Sequence, residues 1–200
     1  MTAEIAAAFC EDGPRDVIGH SFGATAALRL AVERPKCVRS LVLIEPVFFA
    51  VAYQDRPGMR AELDAELAGF GQALEAGDRR AAAREFTGIW GDGIPWEAVP
   101  EAQKQLLADQ IHLVVAGNAA LNEDAGGMLS PGVLQGVEVP VLLIEGSRSP
   151  AVISAIHDGL AARLPHAKRA VIAEAGHMVP VTHARQVASE ILRFLRDVPG

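Results

Sequence analysis

Two stretches of uninterrupted apolar residues, Leu41-Val42-Leu43-Ile44 and Val141-Leu142-Leu143-Ile144, mark the chain. A strand with one wet face alternates apolar and polar residues; a strand covered on both faces does not. These runs therefore predict buried parallel strands over 40–44 and 139–144. Shorter segments at 16–18 and 169–173 read as two further strands. An alanine-rich stretch, 23–33, lies between the first two and stops before Pro35. Another helical stretch, 150–164, lies between the last two and stops at Pro165. Near the end, Val187, Ile191, Leu192 and Leu195 recur at helical spacing. They predict a closing helix over 184–197 that packs on the sheet. Strand, helix and strand in alternation imply an α/β fold with a parallel sheet, flanking helices and right-handed crossovers.

The rhythm breaks between residues 50 and 130, where helical patterns follow one another at 59–76, 79–90 and 100–122, punctuated by Gly77-Asp78 and Gly91-Asp92-Gly93. The expected organisation is a discontinuous core, 1–49 and 131–200, with 50–130 inserted as a helical cap. An insertion after the C-terminal end of a strand overhangs the place where α/β sheets bind ligands. Within it, Phe70, Phe86, Trp90, Trp96, Leu106, Ile111 and Leu113 either line an acyl pocket or pack the cap helices together.

Composition narrows the class. Two hundred residues, half of them apolar, suit one domain with a sizeable core. The net charge of −7, with basic residues scattered singly or in pairs, offers no footprint for nucleic acid or an anionic membrane, so neither partner is expected. Cys10 and Cys37 make no disulfide framework and have no metal-ligand spacing, nor does any histidine pair. The first residues carry no positive region ahead of their apolar ones and are followed by Glu11-Asp12, which argues against a signal peptide, and the run from Leu41 to Tyr53 is too short to span a bilayer. A cytoplasmic chain without metal or cofactor is the expectation.

The chemistry concentrates where the first strand ends. Gly19-His20-Ser21-Phe22-Gly23 has the Gly-x-Ser-x-Gly pattern, placed between a short apolar strand and a helix. In that context the pentapeptide reads as a nucleophile elbow. Two glycines clear a tight turn that thrusts the Ser21 hydroxyl out at the strand end. The helix start aims its amides, Phe22 foremost, at the site of a developing oxyanion. A serine hydroxyl needs a base. Of six histidines, His177 in Ala173-Glu174-Ala175-Gly176-His177-Met178 is best placed, on a loop between the last strand and the closing helix. His20 reads as packing or hydrogen bonding beneath the elbow. His112, His157, His166 and His183 read as surface positions.

With the serine elbow and the late Gly176-His177, the chain resembles the α/β-hydrolase family. The resemblance implies hydrolysis through an acyl-enzyme on Ser21, with His177 as base and then acid. It also implies that the chain lacks the N-terminal third of the domain, including the His-Gly loop that supplies a second oxyanion amide. The first strand would then present an open edge inviting self-association. The family's commonest acid position, three residues after Gly146, holds Ser149. Glu45, at the end of Leu41-Val42-Leu43-Ile44-Glu45-Pro46, is the candidate replacement; a salt bridge or helix cap at Glu45, and another carboxylate such as Asp158, are the alternatives. The implied substrate is a small, mostly apolar ester or related acyl compound. Carbon–carbon bond hydrolysis and cofactor-free perhydrolysis use the same triad. A catalytically weak fragment or binding module is the competing class. Serine at the elbow argues against dehalogenase and epoxide-hydrolase relatives, which carry aspartate there.

Overall fold

A computed structural model describes residues 13–199. Four parallel strands form one sheet in sequential order: β1 (Arg15–His20), β2 (Val38–Ile44), β3 (Val141–Gly146) and β4 (Ala167–Ile172). Each predicted strand is present, with its ends displaced by no more than two residues. The register joins Leu41 to Val141 and Ile44 to Ile144, so the two apolar runs lie side by side at the centre. At the N-terminal end of the first pair, Asp16 accepts hydrogen bonds from the Arg39 guanidinium and, at 2.6 Å, from the Ser40 hydroxyl, which pins β1 to β2. The Arg39 hydrogen bond holds the Asp16 carboxyl below its usual range.

The continuity of the runs has the cause the sequence suggested, since both faces of the sheet are covered. Leu41, Leu43, Val141 and Leu143 face one cluster with α1 (Phe22–Glu33) and its buried Leu28 and Leu30. Val42, Ile44, Leu142 and Ile144 face another, with Val187 and Phe194 of the closing helix. Between β2 and β3 come α2 (Phe49–Asp55), α3 (Gly58–Glu66), α4 (Ala68–Glu75), α5 (Arg79–Trp90), α6 (Glu101–Gln110), α7 (His112–Ala116) and α8 (Asn118–Asn122). After β3 come α9 (Ala151–Ala161), then β4, α10 (Val179–Thr182) and the closing helix α11 (Ala184–Arg196).

Three readings need correction. The predicted helix 59–76 is two helices, broken at Leu67, whose φ of −89° and ψ of 7° leave the helical region. The predicted 100–122 is three, interrupted at Ile111 and Gly117. On α11 the buried stripe runs through Val187, Ile191, Phe194 and Leu195, while Leu192 is 63% exposed. The helix α2, which overlaps the end of the apolar run Leu41 to Tyr53, packs on α9 and buries Val51 and Ala52 in the core.

Among the inserted helices, Phe70, Phe86, Trp96 and Ile111 pack around Ala73, Ala82, Ala83 and Ala108 as a small core of their own. Leu106 and Leu113 are exposed. No helix among the described residues is long and apolar enough to cross a membrane. Cys37 is a free, half-buried thiol, and Cys10 lies outside the described residues.

Candidate active site

Three strand ends on one edge of the sheet converge. Ser21 follows β1 directly, with φ 54° and ψ −123°, a strained backbone for a residue with a side chain. Its amide is tied to the Ile44 carbonyl at 2.9 Å, and its carbonyl starts α1 by accepting from Ala24 and Thr25. A Cβ at Gly19 would come within 3.0 Å of backbone atoms of Gly23 and Ala24, so only glycine permits this close turn. At Gly23 a Cβ would meet nothing within 4 Å, so only the first of the two glycines is required by contact. The Phe22 amide, first in α1, has no acceptor among the described residues.

Glu45 leaves β2 with φ 51°, its amide still bonded to the Ile144 carbonyl at 2.9 Å. That turn carries its carboxylate into the protein, where it is fully buried. Three donors meet it there. Oε1 accepts from the Gly146 amide at 2.6 Å and the Ser149 hydroxyl at 2.7 Å. Oε2 lies 3.0 Å from His177 Nδ1. His177, 5% exposed, sits on the loop between β4 and α10 and turns Nε2 toward Ser21 Oγ at 2.9 Å. Because a carboxylate only accepts, Nδ1 carries the ring proton; Nε2 is then free to accept the serine's. The arrangement can take a proton from an alcohol and hold the resulting imidazolium against a buried negative charge.

The predicted residues Ser21, His177 and Glu45 are thus brought together, and Phe22 sits beside them. Asp158, the alternative acid, is elsewhere, bonded to Arg56 and Arg169 at 2.5 Å each. His20 does hydrogen bond beneath the elbow: its Nε2 donates to the His177 carbonyl at 2.9 Å, and the two rings lie 5.1 Å apart. Burial depresses the His20 pKa. His112 and His166 are exposed and His183 is half-buried.

His157 contradicts its surface reading. It is completely buried on α9, with neither ring nitrogen hydrogen-bonded, and Nδ1 is 3.8 Å from Glu145. Desolvation pushes its pKa down to about 4. The signal was in the spacing, because Val152, Ile153, Ile156, His157 and Leu160 form one buried face. Two other neighbours have contacts that the sequence reading did not give them. Trp90, at the end of α5, sets its ring edge against His177 with centroids 4.8 Å apart, and Ser149 contacts Glu45. A groove of about 550 Å³ lined by Glu66, Arg84, Ile89, Ile94 and Trp96 lies on the inserted helices, apart from these residues. Among the described residues no group of three or more His, Cys, Asp or Glu could hold a metal ion.

The chain is similar to known proteins in sequence and in fold. Over 97 residues, 48% of the chain and 34% of the relative, it is 40% identical to the lipase LipV of Mycobacterium tuberculosis. Over 194 residues, 94% of the chain and 59% of the relative, it is 27% identical to the pimeloyl-[acyl-carrier protein] methyl ester esterase of Neisseria meningitidis serogroup A. The chain therefore spans less than two thirds of either curated relative. Among solved structures it is similar to the MGS-M2 α/β hydrolase from a deep-sea metagenome library, with TM-score 0.68 and 16% identity over 99% of this chain and 72% of that one. A putative non-heme bromoperoxidase, BpoC, from Mycobacterium tuberculosis gives 0.65 and 19% over 99% and 74%. At that identity both show the fold alone. The model of the alpha/beta hydrolase family matches residues 2–190, nearly the whole chain, so this four-stranded parallel sheet with its serine turn and late histidine belongs to the alpha/beta hydrolase family.

Proposed function

We propose that the chain carries the nucleophile, base and acid of a serine hydrolase acting on a small, mostly apolar ester or related acyl compound. The observation behind this reading is the unbroken line of contacts from Ser21 Oγ through His177 to Glu45, 2.9 and 3.0 Å long. Ser21 attacks the acyl carbon as His177 Nε2 takes its proton. The Phe22 amide donates to the oxyanion, the leaving alcohol takes the proton back, and water then cleaves the acyl-enzyme by the same steps. Glu45 orients the imidazole and balances its charge. The inserted helices act as a cap, with Trp90 reaching down to His177. The relatives named as a lipase and a methyl ester esterase support an ester substrate.

Labelling with a fluorophosphonate probe and mapping the modified peptide tests nucleophile and base together. Ser21 should be labelled, Ser21→Ala should abolish labelling, and His177→Ala should nearly do so. Modification at Ser147 or Ser149, or unchanged p-nitrophenyl butyrate hydrolysis by Ser21→Ala, would overturn the assignment.

A further inference from the structure

Glu45 is a buried carboxylate with two oxygens and two tasks. Oε2 faces His177, so something else must fix the rotation that points it there. That something grips Oε1. The Gly146 amide and the Ser149 hydroxyl reach it from the turn after β3. The turn is closed by Ser149 N donating to the Gly146 carbonyl at 3.2 Å, just ahead of Pro150 and α9. Its other side is fastened to the loop that carries His177. The Ser147 hydroxyl accepts from the Glu174 amide at 2.9 Å, Arg148 N donates to the Ala175 carbonyl at 2.8 Å, and the Arg148 guanidinium pairs with the Glu174 carboxylate. The contact is close enough that a Cβ at Gly146 would run into the Ala175 carbonyl. One four-residue turn therefore touches both Glu45 and the loop that carries His177.

From this geometry, and resting on the function proposed above, we infer that Ser149 is a positioning residue, whose hydroxyl locks the Glu45 carboxylate in the orientation that presents Oε2 to His177. Serine suits the task. It donates to the carboxylate, whereas an acidic side chain at this point would set a second negative charge against Glu45 in a buried site. The Gly146 amide is fixed by the strand, so the hydroxyl is the adjustable half of the grip.

The test measures p-nitrophenyl butyrate hydrolysis and fluorophosphonate labelling by the full chain and its variants. Ser149→Ala should lower kcat about tenfold, the worth of one charge-assisted hydrogen bond, with KM changed less than about twofold. Ser149→Thr, which keeps a hydroxyl, should restore kcat to within about threefold of the parent. In a Glu45→Gln background Ser149→Ala should cost less than about twofold more, because the group it acts through is already gone. If Ser149→Ala melts below the assay temperature, Ser149→Cys serves instead, similar in shape but a weak donor. A Ser149→Ala enzyme with parental kcat beside an impaired Glu45→Gln, or a full tenfold loss repeated in the Glu45→Gln background, overturns the positioning role and leaves the proposed function standing. A parent chain that the phosphonate does not label at all overturns both.

Discussion

A carboxylate with none of its surface exposed keeps its charge only where donors replace the lost water. Glu45 has three, and the positive φ that brings it to them is itself unfavourable for a glutamate. Both features fit a residue placed for chemistry. Glu45→Gln keeps volume and shape but removes the charge, and turnover should fall by roughly 10⁴, as it does when the acid of the serine-protease triad is neutralised. KM for p-nitrophenyl butyrate should change little, and a turnover near the parent's would make Glu45 structural. Because Ser149 Oγ lies 2.7 Å from Glu45 Oε1, adding Ser149→Asp to Glu45→Gln puts a carboxylate next to the vacated charge. Activity should rise at least tenfold over the single variant, a gain read directly in kcat. The elbow and His177 were legible in sequence because motif and chain order announce them. Ser149 was legible only as a missing aspartate, since a hydroxyl that serves a carboxylate 104 residues away has no local signature.

At the scale of elements, legibility follows burial. The strands β2 and β3 are buried along nearly their whole length, so their composition gave them away. Strand β4 is a sheet edge among the described residues with a largely exposed pattern, and its predicted start was two residues late. The inserted helices break at Leu67 and Ile111, apolar residues that carry no stop signal, because packing of one short helix on the next decides the break. The α5 helix was read to the residue, aided by Asp78, whose Oδ1 caps it by accepting from the Ala81 amide at 2.9 Å. Asp78→Ala should cost about 1 kcal/mol of stability by urea titration. The other end of α5 matters more. Trp90 is 5% exposed and packs on Phe49 and Phe86 as well as on His177. Trp90→Ala should cost about 3–5 kcal/mol and slow phosphonate labelling together, whereas a loss of stability with full labelling would detach the insertion from the site.

For the molecule as a whole, acid is the predicted weakness. His157 titrates at about 6.5 when the chain is unfolded but is held down to about 4 in the fold by desolvation. The unfolded state therefore takes up this proton first as pH falls. The stability it accounts for is complete above pH 6.5 and is lost on the way to pH 4, about 3 kcal/mol in all. The neighbouring Glu145, raised by its own burial against the pull of Arg169, works in the opposite sense. His157→Leu should flatten the decline of unfolding free energy between pH 6.5 and 4; an unchanged slope would place the acid sensitivity elsewhere. The pairing of β2 with β3 has a last consequence, for how the protein comes together. Ser21 and His177 are 156 residues apart in sequence, and the inserted helices must be spanned before β3 and β4 can dock. The loop-closure entropy of that step falls on the folding chain before any contact between the two halves repays it. A nascent or partly melted chain thus carries a Ser21 that has no base beside it and, on the function proposed above, is unreactive toward esters. On that same proposal, phosphonate reactivity becomes a reporter of completed assembly: in urea, its loss and the change in the fluorescence of Trp90, measured in a Trp96→Phe background, should share one midpoint, and two separate midpoints would mean that the insertion lets go of the sheet first.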